Sequence, residues 1–529
     1  MSDPIADWIA ADPDPASRAE LATLTPDELA DRFTAPLSFG TAGLRGPVRA
    51  GPNGMNVAVV IRTTAGLSTW LKGRHPEGST VVVGRDARHG SEKFASAAAE
   101  VLAAAGFSVI LLPRPLPTPI IAFAVRRLGA VAGVQITASH NPAADNGYKV
   151  YLDDGAQLVS PCDREIEASI ARVGPANLVP RASVTPTSDE LVDRYVERVA
   201  SLPRGNSRTL RIALTPLHGV GGDTAVAALR AAGFTDIHTV QSQFPPDPDF
   251  PTVEFPNPEE PGACDALLSL AEEIEADLAL ALDPDADRCA VGVRGPDGWR
   301  MLRGDETGVL LGEHVLESAP PDSLVATTIV SSALLGKLAA ARGARFARTL
   351  TGFKWLVRAG EGLVYAYEEA IGYCADPESV RDKDGISAAV LVADLAATRK
   401  AQGSTLLDKL DDYALEFGLH TGDQVSRRVT DIADIASIMD RLRSNLPTVL
   451  AEEPVVATDL VNAHVQSRTD AVVLSGNSVR MVVRPSGTEP KLKCYLEVVV
   501  PVADRSALPA AREIASNRLN LLREFAEAL

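Results

Sequence analysis

Short apolar runs alternate along the chain with longer runs that mix apolar and polar residues, and this alternation predicts strands and helices in turn. Residues 79–84 (STVVVG) predict a buried strand, residues 91–106 (SEKFASAAAEVLAAAG) a helix that ends at a glycine, and residues 107–113 (FSVILLP) the next strand. A strand, a helix and a further strand in this order are typical of a largely parallel sheet with helices on its faces. The pattern therefore predicts an α/β fold.

An alanine-rich helix end that is followed by a glycine and a strand occurs three times. The sequence AAGFSVI at 104–110 returns as AAGFTDI at 231–237 and, more weakly, as AARGARF at 340–346. Three related α/β domains in tandem explain this repeat, although an alanine-rich helix with a glycine cap is common enough to recur by chance.

The pattern changes after about residue 420. Residues 431–446 predict a helix, residues 470–485 a hairpin that turns at Gly476 and Asn477, and residues 491–501 a further strand before a last helix. Segments rich in proline, glycine and serine near 201–209 and 318–324 are linker candidates. We therefore expect three similar α/β domains with mixed, mostly parallel sheets and a smaller C-terminal α+β domain, over residues 1–205, 206–320, 321–420 and 421–529.

Composition narrows the class of protein. The chain has 529 residues, 46% of them hydrophobic and 23% charged, which is the profile of a globular protein with several domains. Its net charge of −18 argues against nucleic acid as the main partner. The N-terminal sequence lacks the basic and apolar regions of a signal peptide, and the longest apolar run is interrupted by Gly106. The five cysteines show no CxxC spacing, so we expect reduced thiols, a cytoplasmic location and no membrane partner.

The apolar run AVAGVQI stops at the polar sequence TASHNP, which places Ser139 next to His140. An ordinary turn, held by side chains that bond their own backbone, is the simplest interpretation. A serine hydrolase is disfavoured, because the G-x-S-x-G elbow is absent. Adjacent side chains also leave an extended backbone in opposite directions, so His140 is not expected to act as a base for Ser139.

Three aspartates, Asp283, Asp285 and Asp287, directly follow the predicted buried strand of ADLALALDPDADR. Carboxylates at this spacing need a cation or good solvation to relieve their repulsion. An EF-hand is excluded, because Arg288 and Arg294 stand where its glycine and glutamate belong. A solvated acidic turn is the alternative, but the end of a strand is where α/β sheets bind ligands, and oxygen ligands favour Mg²⁺ over Zn²⁺.

The sequence RPSGTEPKLK at 484–493 combines groups that suit a phosphate. Arg484 offers a fork of donors, Ser486 and Thr488 offer hydroxyl groups, and Gly487 allows a close approach of the backbone. A polar turn between two strands is an equally good interpretation of this motif alone.

Three further polar motifs have simple structural interpretations. In YEEAIGY, Glu368 and Glu369 end a predicted strand and form either a ligand contact or a solvated pair. The segment FGTAGLRG at 39–46 places Arg45 in a glycine-rich, turn-like loop, and RDKDG at 381–385 places Lys383 in a charged loop.

Taken together and in this order, TASHNP, DPDADR, EEAIG and RPSGTEP closely resemble the α-D-phosphohexomutase superfamily, which includes phosphoglucomutases and phosphomannomutases. The resemblance covers nearly the whole chain, from FGTAGLRG to the closing strands. It implies a four-domain phosphosugar mutase. Such an enzyme interconverts a sugar 1-phosphate with the 6-phosphate or 5-phosphate through a phosphoserine and a sugar bisphosphate.

The resemblance also implies roles for individual residues. Ser139 is expected to carry the phosphoryl group and, with the three aspartates, to hold one Mg²⁺ per chain. Lys149, in NGYK, is expected to be the general base and acid beside Arg45, and His140 to support them. The residues expected to bind substrate are Arg288, Glu368, Lys383, Arg484, Ser486, Gly487 and Thr488. A sugar bisphosphate is the expected activator and the phosphosugar the expected partner, while the oligomeric state stays open.

The sugar itself is less well defined by the sequence. Phosphoglucomutases commonly have Glu-Glu-Ser in the sugar loop, whereas Ala370 stands at the place of that serine here. TGFKW, EEAIGY and DKDG resemble most the branch with phosphopentomutase, glucose-1,6-bisphosphate synthase and bacterial phosphomannomutases. A phosphatase with Asp283 as nucleophile and an inactive sugar-phosphate sensor are the alternatives. The phosphatase leaves Ser139 unexplained, and the complete set of site residues argues against the sensor.

Overall fold

The structure, a computed structural model, describes residues 3–38, 43–429, 432–464, 468–486 and 491–529. The chain divides into two compact units. The first comprises Met1–Met301 and Gly372–Asp394, and the second comprises Leu302–Ile371 and Leu395–Leu529.

The first sheet contains five strands in the order β1-β5-β4-β2-β3. β2 pairs in parallel with β3 and β4, whereas β5 is antiparallel to both of its neighbours. Its strands are β1 (Leu44–Pro47), β2 (Thr80–Arg85), β3 (Ser108–Leu111), β4 (Ala132–Ile136) and β5 (Asp145–Leu152). The helices of this region are α1 (Pro4–Ala11), α2 (Pro15–Thr23), α3 (Pro26–Arg32), α4 (Val57–Lys72), α5 (Ser91–Ala104), α6 (Thr118–Leu128), α7 (Cys162–Ile170) and α8 (Glu190–Ala200).

The second sheet repeats this arrangement, with five strands in the order β10-β9-β8-β6-β7. β6 is parallel to β7 and β8, and β9 is antiparallel to β8 and β10. Its strands are β6 (Arg211–Thr215), β7 (Asp236–Thr239), β8 (Leu278–Leu282), β9 (Cys289–Gly295) and β10 (Gly298–Met301), and its helices are α9 (Gly222–Ala231) and α10 (Asp265–Glu273).

The third sheet has a parallel core in which β11 pairs with β12 on one side and with β13 on the other. The elements here are α11 (Gly304–Leu316), β11 (Leu324–Thr328), α12 (Leu334–Ala341), β12 (Arg345–Thr349), α13 (Phe353–Leu356) and β13 (Leu363–Glu368). Next along the chain come β14 (Gly372–Cys374) and α14 (Gly385–Ala401).

The predicted repeat is confirmed by the strand order. The three repeated segments lead into β3, β7 and β12, which hold the same position beside the first parallel strand of their sheets. Likewise, Ser139 follows β4, Asp283 follows β8 and Glu368 ends β13, and these strands are equivalent on the other side. Every residue of β4 and β8 is buried, which explains why both are almost entirely apolar, with Gln135 of β4 as the one polar residue.

The C-terminal region forms an antiparallel sheet in the order β15-β21-β20-β19-β18, and the predicted hairpin between β19 and β20 is confirmed. Its elements are α15 (Leu406–Phe417), β15 (Leu419–Arg428), α16 (Ile432–Ser444), β16 (Val449–Leu450), β17 (Glu453–Pro454), β18 (Val456–Asp459), β19 (Val472–Ser475), β20 (Val479–Pro485), β21 (Lys491–Val500) and α17 (Leu508–Ala528). The domain boundaries predicted after residues 205, 320 and 420 stay predictions.

Two expectations from composition can be compared with the fold. All five cysteines are free thiols, and four of them are buried. Across the described ranges, no helix is both long enough and apolar enough to cross a membrane.

Candidate active site

Ser139 occupies an unusual backbone position three residues after the end of β4. Its φ is 54°, in the left-handed region that residues with a Cβ rarely adopt. Its backbone N–H donates to the hydroxyl of Thr137 at 2.9 Å, and the residue is only 2% exposed. In this conformation Oγ of Ser139 donates a hydrogen bond to Oδ2 of Asp283 at 2.8 Å. The turn that the sequence indicates is therefore present, but its serine is buried and faces a carboxylate.

The expectation that His140 lies away from Ser139 is wrong. Nδ1 of His140 is 3.2 Å from Oγ of Ser139. The expectation assumed an extended backbone, and the left-handed turn at Ser139 brings the two neighbouring side chains to the same side. Burial, followed by the cations Arg288 and Arg45, lowers the pKa of His140 well below its usual value, so the imidazole is neutral.

Asp283, Asp285 and Asp287 form one buried carboxylate cluster, as their spacing predicts. All three are fully buried, and one oxygen of each lies within 4.8 Å of the others. Oδ1 of Asp285 and Oδ1 of Asp287 have no hydrogen-bond partner within the part of the chain that the structure describes. Buried carboxylate oxygens left without donors fit a hard divalent cation, so these residues can hold a metal ion.

The charges around the cluster are unevenly distributed. Burial and the two neighbouring carboxylates raise the pKa of Asp283 well above its usual value. Burial also disfavours the charged form of Asp287, but Lys149 and Lys383 lower the pKa of Asp287 below its usual range. Asp283 is thus the carboxyl group that the protein stabilises least as an anion, and a nearby cation would favour its ionised form.

Lys149 is held in this cluster by β5, which runs antiparallel to β4. Its Nζ lies 2.7 Å from Oδ2 of Asp285 and 2.9 Å from Oδ2 of Asp287. Burial works against the ammonium form, but the two carboxylates raise the pKa of Lys149 above its usual value. Lys149 is therefore a buried cation in this arrangement and fits a proton donor.

Arg45 lies on β1 and not in a loop, so its turn-like interpretation is wrong. In this strand, Arg45 pairs with Gly147 of the antiparallel neighbour β5. Its Nη1 donates to Oδ1 of Asn141 at 3.1 Å, within the serine loop. The neighbouring residues 39–42 lie outside the described residues.

A segment 96 residues after Asp287 in the sequence brings Lys383 to the cluster. Nζ of Lys383 is 3.3 Å from Oδ2 of Asp287. Asp382 is 1% exposed, and its carboxylate accepts hydrogen bonds from the hydroxyl of Tyr151 at 2.7 Å and from the amide of Gln157 at 2.6 Å. The predicted charged loop is therefore present and docks on the rest of the first unit.

Arg288 also faces the cluster. Its Nε is 4.0 Å from Oδ1 of Asp287, and its Nη1 is 3.4 Å from Oε2 of Glu259. Glu259 belongs to the segment FPNPEEPGA, which precedes α10.

In the second unit, Glu368 ends β13 and Glu369 directly follows it. Oε2 of Glu369 accepts hydrogen bonds from the hydroxyls of Thr328 at 3.1 Å and Ser331 at 2.9 Å. Gly304 packs against this loop, and a Cβ there would collide with the carbonyl oxygen of Glu369. Ile371 has a φ of 52°, which is strained for a β-branched residue, so the loop around Glu368 is firmly held in one conformation.

The phosphate-type motif RPSGT is only partly described. Arg484 lies on β20 and Ser486 directly follows that strand, each partly exposed. Gly487 and Thr488 lie outside the described residues.

Two buried residues in the site were missed from the sequence. Thr118, at the start of α6, donates its hydroxyl to Oδ2 of Asp285 at 2.6 Å. Arg88, after β2, contacts the serine loop through its guanidinium. Their only signal is their place after the carboxyl ends of parallel strands, and that is where α/β sheets bind ligands.

A buried serine that faces carboxylates at the strand ends of tandem α/β domains is the arrangement of an enzyme that transfers a charged group. Comparison with known families gives the particular class. Models described as "Phosphoglucomutase/phosphomannomutase" match the chain as alpha/beta/alpha domain I over residues 36–176, domain II over 193–296, domain III over 303–413 and the C-terminal domain over 427–510.

Individual proteins agree with this result. A probable phosphomannomutase of Haemophilus influenzae is 42% identical over 453 residues, which cover 84% of this chain and 93% of that protein. A phosphopentomutase of Mus musculus is 34% identical, with 94% of this chain and 90% of that protein covered. A putative phosphomannomutase structure from Thermus thermophilus shares the fold with a TM-score of 0.72 at 24% identity, covering 93% of this chain and 99% of that one. The chain therefore belongs to the phosphoglucomutase/phosphomannomutase family and is a phosphosugar mutase.

Proposed function

We propose that Ser139 carries the phosphoryl group that this mutase moves between two positions of a phosphosugar. The observation that supports this best is the 2.8 Å hydrogen bond from Oγ of Ser139 to Oδ2 of Asp283 at a buried carboxylate cluster. A polar turn without a functional role does not require its serine hydroxyl to contact a buried carboxylate. A serine that forms a phosphate ester holds the group covalently and returns it to a different hydroxyl.

We further propose that Asp283, Asp285 and Asp287 hold one Mg²⁺ per chain together with an oxygen of the Ser139 phosphate. When bound, this ion neutralises charge on the phosphoryl group during in-line transfer. The buried Lys149 adds a fixed positive charge of the protein to the same place.

Proton movement in the reaction balances between the two ends of the transfer. As the bond between phosphorus and Oγ of Ser139 breaks, a sugar hydroxyl oxygen bonds to phosphorus and gives up its proton. Lys149, kept protonated by Asp285 and Asp287, donates a proton to Oγ as the serine leaves, and the amine that results takes up the proton of the sugar hydroxyl. In the return step both proton transfers run in reverse. His140 supports this exchange as a neutral hydrogen-bond partner of Oγ.

The remaining residues are proposed to bind the substrate. Arg45, Lys383 and Arg288 contribute positive charge around the reacting phosphate, and Glu368 contacts sugar hydroxyls. Arg484, Ser486, Gly487 and Thr488 hold the phosphate that is not transferred. A sugar bisphosphate is both the intermediate and the activator, because it loads the serine of an enzyme that has lost its phosphate.

Among sugars, we propose a hexose phosphate, mannose or glucose, as the main substrate, since the probable phosphomannomutase is 42% identical. A pentose phosphate is the second candidate. It is favoured by Ala370, which removes a hydroxyl group from the sugar loop, and by a phosphopentomutase that matches over 94% of the chain. A panel of mannose, glucose, glucosamine, ribose and deoxyribose 1-phosphates with Mg²⁺ and a trace of bisphosphate discriminates these candidates by kcat/KM.

Intact-mass measurement tests the central role of Ser139. Purified protein incubated with glucose 1,6-bisphosphate is expected to gain the mass of one phosphate, and Ser139→Ala is expected to gain none and to lose mutase activity. Ser201→Ala, at an exposed serine, is the control and is expected to behave as the unchanged protein. Full mutase activity in Ser139→Ala contradicts the proposal, and loss of phosphate only in Asp283→Asn favours the phosphatase.

A further inference from the structure

Arg88 is a buried residue that contacts the serine loop through four hydrogen bonds. Its Nη2 donates to the carbonyl oxygens of Ser139 and Asn141, each at 2.6 Å. Its Nη1 donates to the carbonyl oxygens of Pro142 at 2.8 Å and Asp145 at 3.2 Å. One guanidinium group therefore holds the backbone from Ser139 to Asp145.

Arg88 is itself fixed in place. Its backbone N–H donates to Oδ1 of Asp86 at 2.9 Å, and the same oxygen accepts from the hydroxyl of Ser91 at 2.6 Å. On the other side, its Cζ lies 4.9 Å from the centre of the Phe250 ring, in a cation–π arrangement. Nε of the guanidinium also lies 3.4 Å from Oδ2 of Asp86, so the guanidinium is held between a carboxylate and an aromatic face.

The serine loop needs such a hold because of its backbone. A φ of 54° is unfavourable for a serine, and an unrestrained chain would relax toward an extended conformation. Relaxation would turn Oγ of Ser139 away from Oδ2 of Asp283, to which it now donates at 2.8 Å. Hydrogen bonds from a charged donor are stronger than neutral ones, so the contacts of Arg88 oppose this relaxation.

We propose that Arg88 is a positioning residue for phosphoryl transfer, which holds Ser139 in the left-handed conformation that directs Oγ to the carboxylate cluster. The proposal rests on the proposed function, because it concerns the serine that takes the phosphoryl group. A lysine cannot replace Arg88, since one ammonium group lacks the planar fork that reaches four carbonyl oxygens.

The same unit contains a matched arginine that allows a stringent control. Arg208 donates to the carbonyl oxygens of Gly205, Ser207 and Ala232 at 2.7 to 2.8 Å. Its Cζ lies 5.3 Å from the centre of the Phe234 ring. Arg208 thus has the chemistry of Arg88 but holds a different loop.

The test compares Arg88→Lys with Arg208→Lys. Intact mass after rapid quenching measures how fast glucose 1,6-bisphosphate phosphorylates Ser139, and melting temperatures, kcat and KM are measured in parallel. Arg88→Lys is expected to slow phosphorylation and kcat about 100-fold, because small displacements of a reacting atom are costly, while KM changes less than about threefold. Arg208→Lys is expected to lower the melting temperature without slowing the transfer. Phe250→Leu, a milder change, is expected to slow the transfer several-fold more than Phe234→Leu.

The outcomes distinguish a failure of the proposed function from a failure of the role of Arg88. If the unchanged protein takes no phosphate on Ser139, the proposed function fails and the role of Arg88 fails with it. If the unchanged protein is phosphorylated but Arg88→Lys reacts at the same rate, only the role of Arg88 is overturned. Equal slowing in Arg208→Lys also overturns it, because the effect is then a general loss of stability. Should Arg88→Lys not fold, the comparison of Phe250→Leu with Phe234→Leu decides, and equal rates overturn the proposal.

Discussion

The ammonium group of Lys149 lies 2.7 Å from Oδ2 of Asp285, and both side chains are almost completely buried. The same group is 2.9 Å from Oδ2 of Asp287. Removal of a buried cation that faces two carboxylates leaves uncompensated negative charge, which is strongly destabilising.

Lys149→Met is therefore expected to destabilise the protein in EDTA by about 3 to 5 kcal/mol. A divalent cation can replace part of the missing positive charge, so Mg²⁺ is expected to raise the melting temperature of Lys149→Met more than that of the unchanged protein. Thermal melts with EDTA and with Mg²⁺ measure both effects. Lys72→Met, at an exposed helix end, is the control. An equal Mg²⁺ response in all three proteins contradicts the prediction.

Mg²⁺ itself is expected to stabilise the unchanged protein. An ion at 100 times its dissociation constant stabilises the folded state by about 2.7 kcal/mol, provided that it does not bind the unfolded chain. Asp283→Asn removes a ligand and is expected to abolish both this stabilisation and the mutase activity, whereas Asp153→Asn, an exposed aspartate, is expected to change neither. Calorimetric titration of the metal-free proteins with Mg²⁺ measures binding directly, and unchanged affinity in Asp283→Asn refutes the assignment.

The sequence predicts β4 and β8 well because every residue of these two strands is buried. LALAL before Asp283 is a short apolar run, AGVQI before Ser139 is apolar except for Gln135, and polar residues directly after them mark strand ends. Periodicity and turn residues are local signals, and they are strong for elements of this kind. The three-fold repeat and the carboxylate cluster follow from the same local signals.

What the sequence does not predict depends on contacts between distant segments or on single backbone angles. The contact of Ser139 with His140 depends on one left-handed residue, for which TASHNP carries no glycine signal. Tyr151 donates a hydrogen bond to Asp382, a residue 231 positions away, and no local pattern in the sequence predicts that contact. Arg88 acts through backbone carbonyls, so the residues it contacts have no side-chain chemistry that would reveal the partner.

Glu369 is expected to support sugar binding because it holds the sugar loop in place. It is not expected to affect the phosphorylation of Ser139. Glu369→Ala leaves the hydroxyls of Thr328 and Ser331 without their carboxylate acceptor, and hydrogen bonds to charged groups contribute about 1.5 to 3 kcal/mol. We expect KM for the sugar phosphate to rise about tenfold, in proportion to the loss of one such bond.

Phosphorylation of Ser139 by bisphosphate at saturating concentration is expected to stay within about threefold of the unchanged rate in Glu369→Ala. Glu361→Ala, in the exposed turn before β13, is the matched control in the same region. Steady-state kinetics together with the mass assay make both measurements. A fall in kcat with unchanged KM is the result that contradicts a role in binding.

Ionisation of the buried carboxyl group of Asp384 is expected to make the stability of the protein depend on pH. This residue is 2% exposed and accepts hydrogen bonds from the hydroxyl of Tyr195 at 2.7 Å and from the backbone N–H groups of Ile386 and Ser387. Burial, only partly offset by these donors, raises the pKa of Asp384 to about 6.

Because the folded pKa of Asp384 lies above the unfolded value of 3.8, the folded protein binds the proton more tightly than the unfolded chain. The contribution of this proton to stability is complete below about pH 4 and is lost as the pH rises through about 6. Two pKa units correspond to about 3 kcal/mol, so the loss between pH 4 and pH 7.5 is expected to be of that order.

Asp384→Asn cannot ionise and is expected to lack this loss, even though its stability at any one pH differs for other reasons. The measurement is the change in melting temperature between pH 4.5 and pH 7.5, compared between the variant and the unchanged protein, with Asp27→Asn on an exposed helix position as control. The unchanged protein and Asp27→Asn are expected to lose more stability over this range than Asp384→Asn. Parallel pH profiles in all three would show that the carboxyl group of Asp384 ionises alike in the folded and unfolded chain.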